Sequence, residues 1–419
     1  MIGKIKQSGL VIVIACLVCF LCFISVSLGQ ELIPAPGTVI DKSNIDKYKH
    51  LFPDDFYRAF TDGWGVAKPL VIKVKETVKE MPVLEREREA SEKNRGKYQL
   101  DSEGYIATDY RNIVGLPFPG VDPSDPDFAV KLMWNYDLKY QFDSIKGTDG
   151  LQMSRRKGER IALSLPITKR LSLTNRLFDD PKPYISNRNN CRRMIIIRLL
   201  YPPSIRDTMQ MIWEPIDPRQ ESVMFVYVPS LRRTMRAETG ESSTPVPMAT
   251  TAPDDMEIFG GRIPDFNFKF IKEQKVLAVP HAKQFYMDTK HVRKVVKDLD
   301  HFPIQTDTWE VRDVYVIEIT SKDPLYPQSK KLIYIEKEHP IAYYGVAYDR
   351  AGELWKVWMA ERRVMQIKSG EKMNRQWSQF GIDIQMGFTE YAVFQKETVN
   401  GFDYNENMFT SNSLRQMAR

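Results

Sequence analysis

Residues 208–236 read TMQMIWEPIDPRQESVMFVYVPSLRRTMR, and their period of two decides the fold. Met209, Met211 and Trp213 fall on one side of an extended segment, while Thr208, Gln210 and Glu214 share the other with Ile212. The next run, SVMFVYVP, is apolar on both faces, which requires cover on both sides of the sheet there. Working outward, further runs of this kind occupy 160–165, 192–200, 265–270, 311–319, 332–335, 341–348 and 354–364. Many short strands with turn signals between them predict one large, twisted antiparallel sheet or an open barrel.

Helical spacing is confined to a few places. Phe128, Leu132, Tyr136 and Tyr140 recur every four residues and predict a helix from about Pro126, with Ser124 and Asp127 spaced as a capping box. A second helix is expected at 284–297, where Phe285, Val292, Val295 and Val296 fit one helical face. Residues 72–97 are charged on nearly every side and broken by Pro82, so they read as a solvated helix pair or an arm. The stretch 239–253 is low in complexity and reads as a loop, or as a lid over a cavity.

The first 29 residues have the form of a secretory signal. Lys4 and Lys6 precede an apolar run from Leu10 to Leu28, and Ser27 and Gly29 place small residues for cleavage before Gln30. An uncleaved anchor is the alternative, since the run is long enough to span a bilayer. Cleavage leaves 390 of 419 residues and lowers the formal charge from +6 to +4, too little to argue for nucleic acid. It also removes Cys16, Cys19 and Cys22, leaving Cys191 with no partner for an intramolecular disulfide. The expected compartment is the periplasm.

Nothing in the sequence points to catalysis. His50, His281, His291, His301 and His339 are not in metal-ligating spacing, and there is no G-x-S-x-G elbow and no glycine-rich phosphate loop after a strand. No metal, cofactor or catalytic set is expected. Neighbouring arginines could activate the Cys191 thiol, but a lone cysteine at the start of a strand reads as structural.

Several longer stretches together resemble an exported bacterial family known as domain of unknown function 1329. They are WEPIDPRQESVMFVYVPSLRRTMRA at 213–237, GLPFP with the Trp134-Asn135 pair, DDMEIFGGRIPDFNFKFI at 254–271, KKLIYIEKEHPIAYYGVAYDRAGELWKVW at 330–358, and ENMFTSNSLRQ at 406–416. The resemblance runs over roughly 105–415 and omits the charged stretch 72–97. That family is similar to periplasmic lipoprotein carriers of the LolA/LolB type, in which a half-closed antiparallel sheet wraps over helices and shields acyl chains. Its members are often encoded beside lipid-exporting transporters of the resistance-nodulation-division class.

The resemblance therefore implies a mainly β (α+β) chain: a half-closed, LolA/LolB-like sheet of roughly ten strands at 141–419 over a few helices, preceded by a helical N-terminal arm at 30–140. It implies a non-enzymatic carrier of a lipid or other apolar molecule, with a transporter or an outer-membrane component as further partner. The candidate apolar lining is Met209, Met211, Trp213, Met224, Phe225 and Tyr227. Methionine suits a lining that must accept irregular shapes, although it also serves as ordinary core filler. Arg232, Arg233 and Arg236, with Asp254 and Asp255 beyond the loop, are a solvated edge, a clamp across the loop, or a headgroup site. Two other classes compete: an outer-membrane β-barrel or associated structural protein, and a periplasmic hydrolase.

Overall fold

A computed structural model of the chain describes residues 32–156, 162–237, 250–283 and 309–418. The signal segment and the helix expected at 284–297 lie outside the described residues, as does nearly all of the 239–253 loop.

The architecture is mostly β: a 14-stranded antiparallel sheet that does not close, with few helices. Two short strands, β1 (Val39–Ile40) and β2 (Ile72–Lys73), pair with each other apart from it. The main sheet then takes β3 (Ser144–Arg156), β4 (Ala162–Ser164), β5 (Pro166–Ser172), β6 (Cys191–Leu199), β7 (Met209–Pro215), β8 (Val223–Val228) and β9 (Arg233–Ala237). It continues with β10 (Phe266–Ala278), β11 (Glu310–Ser321), β12 (Gln328–Glu336), β13 (Ala342–Asp349), β14 (Leu354–Gln366), β15 (Lys372–Asp383) and β16 (Phe388–Val399). Their spatial order is β10 through β16, then β3, then β5 through β9, with β4 beside β3. Two meanders are thus joined by one seam, the β16–β3 pairing from Phe388↔Arg156 to Val399↔Ile145. Strands β9 and β10 stand at opposite ends of this order.

Alternation along the larger meander assigns its two faces. Val314, Val316, Val357 and Met359 pack under the N-terminal segment, where Phe52, Phe56, Phe60 and Trp64 form an aromatic cluster with Trp309 and Tyr344. Ile317, Ile319, Trp358 and Ala360 face the other way. There they meet α3 (Phe128–Leu138) and the turn segment 253–265. Phe128 sits edge-on to Phe270 and Tyr315, with ring centroids 5.1 and 4.8 Å away. Trp358 lies in register between Gly345 and Gly381. A Cβ on Gly345 would come within 2.8 Å of Ile258, and one on Gly381 within 2.5 Å of Thr250, so the glycines let residues 250–258 lie directly on the sheet.

The charged stretch 72–97 differs from its expected solvated form. Ile72, Val74, Met81 and Leu84 are buried, and the stretch holds β2 and α2 (Glu85–Glu92). Even Glu87 is buried, accepting the backbone N–H of Tyr140 at 2.8 Å. The helical part of the arm is minor: α1 (Arg58–Thr61), α2 and α3 are separated by turns. The predicted α3 stripe is buried at Phe128, Leu132 and Tyr136, but the capping box does not form. The Ser124 hydroxyl donates to Asp122 within its own turn and so is unavailable to the helix.

Candidate ligand-binding face

The smaller meander, β5 to β9, has two unlike sides. Its register rows place Leu171 beside Met194 and Trp213, Ile196 beside Met211 and Phe225, and Met209 beside Tyr227. All of these point toward the C-terminal helix α4 (Ser411–Met417), which lays Leu414 and the preceding Phe409 on them. Met209 and Met211 are 0 % exposed. The Trp213 indole N–H donates to the Phe409 carbonyl at 3.1 Å, and its ring meets Phe225 edge-on at 4.9 Å. Five of the six lining candidates, Met209, Met211, Trp213, Phe225 and Tyr227, therefore share one face, which the chain's own C-terminus occupies.

Met224 stands on the opposite face. It opposes Ile212, which opposes Ile195, which opposes Arg170, a single cross-strand row over β5 to β8. The next row carries Thr168, Ile197, Gln210, Val226 and Met235. Ile195, Ile197, Ile212, Met224 and Val226 are half-buried, and Met235 is 44 % exposed. These six belong to none of the buried apolar clusters formed by the described residues. An apolar surface spread over four adjacent strands and left partly wet is unusual for a structural core.

At the β5 end this face runs into a shelf of mostly half-buried charge beneath the C-terminal end of α3. Arg192 forks onto Asp137 of α3 at 2.6 and 3.0 Å, and Arg193 pairs with Glu214 at 2.8 Å. Gln141 Oε1 accepts from both Arg170 and Arg193, at 3.0 and 2.9 Å. Arg375 bridges Glu257 and Glu397 at 2.9 and 3.1 Å, with Lys139 3.9 Å from Glu257. Burial would raise the Glu257 carboxyl, but Arg375, Lys139 and Arg362 outweigh it and hold the group well below the usual carboxylate range. Burial pushes the Lys139 ammonium down to about 8.

The arginines and aspartates lie apart. Arg232, Arg233 and Arg236 are exposed around the β8–β9 turn, where Arg232 takes a left-handed φ of 49°. Asp254 accepts from the Tyr326 hydroxyl at 3.0 Å, while Asp255 forms a buried ion pair with Lys331 and accepts from Gln328. Glu390 takes four hydrogen bonds from Thr250 and Thr251, so the C-terminal root of the 239–253 loop is tied to β16. Among the described residues, no ion pair joins these arginines to these aspartates.

Among the described residues, no group of three His, Cys, Asp or Glu side chains is placed to hold a metal. The Cys191 thiol is pushed up to about 12 by burial, away from reactivity, and the His339 imidazole down to about 3 by the same cause. Sequence reading missed Arg170, Ile195, Ile197 and Ile212. For Ile195 and Ile197 the signal was the run RRMIIIRL at 192–199, in which three consecutive isoleucines must place an apolar residue on each face.

A family model described as "Protein of unknown function (DUF1329)" matches residues 39–415. No curated protein matches the chain. Among solved structures, the chain is similar to a domain from Vibrio parahaemolyticus described as an outer membrane lipoprotein-sorting protein. The identity is 15 %, the coverage 70 % of this chain and 100 % of that one, and the TM-score 0.49. A DUF1329 family protein from Desulfovibrio piger aligns at 12 % identity over 68 % and 96 %, TM-score 0.47. A LolA superfamily protein from Nitrosomonas europaea aligns at 14 % identity over 66 % and 94 %, TM-score 0.41.

Proposed function

The chain belongs to the DUF1329 family, described as proteins of unknown function, and from that premise we propose that it is a periplasmic binding protein for a lipid or similar apolar molecule. The observation that carries the reading is the partly wet apolar face of β6 to β9, formed by Ile195, Ile197, Ile212, Met224, Val226 and Met235. A ligand chain laid across it gains about 0.8 kcal/mol for each methylene removed from water. Met224 and Met235 add unbranched, polarizable side chains that adapt to a flexible guest. The role is non-enzymatic. Residues 1–29 direct export and are removed, and the protein passes its ligand to or from an envelope transporter of the resistance-nodulation-division class.

An outer-membrane barrel is the less favoured reading. A lipid-embedded sheet must close so that no edge is left unpaired, whereas β9 and β10 end the strand order on opposite sides.

The test is equilibrium titration of the purified protein with a fluorescent fatty acid. The expected outcome is saturable binding displaced by oleate. Non-saturable partition, or no displacement, would overturn the proposal.

A further inference from the structure

Arg170 differs from the other arginines of the charged shelf. It is 6 % exposed, yet its one hydrogen bond among the described residues is to the neutral Gln141 amide oxygen. Its Nε and Nη2 have no partner there. Arg192, Arg193 and Arg375, by contrast, each close on a carboxylate. A buried guanidinium with idle donors is costly unless an acceptor arrives. The fork matches two oxygens of a carboxylate or phosphate.

Its position adds a second constraint. In its cross-strand row Arg170 stands between the buried Ile145 of β3 and the half-buried Ile195, Ile212 and Met224, and so at one end of the partly wet stretch. Strands lie about 4.8 Å apart, so this row runs roughly 14 Å from the cation across apolar side chains. A cation at one end of an apolar track complements an anionic amphiphile. It suits neither a neutral lipid nor a free ion.

Resting on the binding role proposed above, we propose that Arg170 anchors the carboxylate or phosphate headgroup of an anionic amphiphile whose acyl chain crosses β6, β7 and β8 over Ile195, Ile212 and Met224.

The test compares dodecanoate, dodecanol and inorganic phosphate by calorimetric titration of the full mature chain and of Arg170→Met, with thermal unfolding of both proteins without ligand. The wild type should prefer dodecanoate over dodecanol by about tenfold or more, the scale of a charge-assisted hydrogen bond. Arg170→Met should bind both alike. Its unliganded melting temperature should be unchanged or higher, because an unsatisfied buried charge has been replaced by an apolar side chain of similar reach. A lower melting temperature would make Arg170 structural and overturn the anchor. Equal binding of dodecanoate and dodecanol by the wild type would overturn the anchor and leave the binding role standing. Inorganic phosphate binding as tightly as dodecanoate would replace the amphiphile with a free anion. If the wild type bound neither dodecanoate nor dodecanol, the binding role itself would fall.

Discussion

Replacing Met211 with lysine and, separately, Met224 with lysine asks which side of β7 and β8 meets the ligand. Met211 is wholly buried under Phe409 and α4, so Met211→Lys places an ammonium with no counter-charge in a sealed apolar layer. A buried charge without its partner costs about 3–5 kcal/mol, against a total stability on the order of 5–15 kcal/mol. Met224 is half-buried on the opposite face, where a lysine stem can lie along the sheet and reach water. Its cost should stay within about 1 kcal/mol. Urea unfolding followed by tryptophan fluorescence reads the first quantity, and fatty-acid probe binding reads the second. With a urea slope of about 3 kcal/mol/M, Met211→Lys should lower the midpoint by about 1 M or more. Met224→Lys should leave the midpoint nearly in place and abolish binding. A stable Met211→Lys protein that cannot bind the probe, beside a Met224→Lys protein that binds normally, would refute the face assignment.

Three further outcomes follow from buried groups elsewhere. Burial raises the Glu87 carboxyl from 4.5 to about 7. Below pH 4.5 it is neutral in both states, and as pH rises to 7 the unfolded chain ionises first. At 1.36 kcal/mol per unit, wild-type stability should therefore fall by about 3 kcal/mol over that window relative to Glu87→Gln, and parallel urea midpoints for the two proteins across it would contradict this. Gly381→Ala drives a Cβ against Thr250, which Glu390 holds in place, so it should cost about 1–3 kcal/mol and speed proteolytic nicking in 250–258; unchanged cleavage would show that the segment is not held against the sheet. Lys331→Met leaves Asp255 buried without its cation and should cost about 3–5 kcal/mol, most of it recovered by adding Asp255→Leu. Equal stability of the single and double variants would count against a coupled pair.

The clean alternators were legible. Strands β7, β8, β11, β13 and β14 lie close to their expected runs, because apolar and polar residues alternate there or form long β-branched and aromatic stretches. Strand β15 was not legible. Its sequence KMNRQWSQFGID carries Asn374, Gln376, Ser378 and Gln379, whose polar side chains mask the strand signal. In the fold all four are buried, with Gln379 donating to the Asp255 carbonyl and Ser378 to Glu361. Strand β3 was hidden by Gly147, Asp149 and Gly150 in the same way. The stretch 72–97 misled through composition, since most of its few apolar residues, Ile72, Val74, Met81 and Leu84, point inward. The candidate face was the least readable feature. Met209, Met211 and Trp213 look like a lining because they are purely apolar, but α4, some two hundred residues later in the chain, covers them. A strand's own sequence shows which residues share a side, and cannot show what packs on it.

Photocrosslinking tests the central claim most directly. An acyl probe carrying a diazirine near mid-chain is irradiated with the protein, and the adducts are mapped by peptide mass spectrometry. The account predicts oleate-competable adducts within β6, β7 and β8, at the face of Ile195, Ile197, Ile212, Met224 and Val226. Competable adducts confined to α4, or to the Phe52–Trp64 cluster on the other meander, would contradict it.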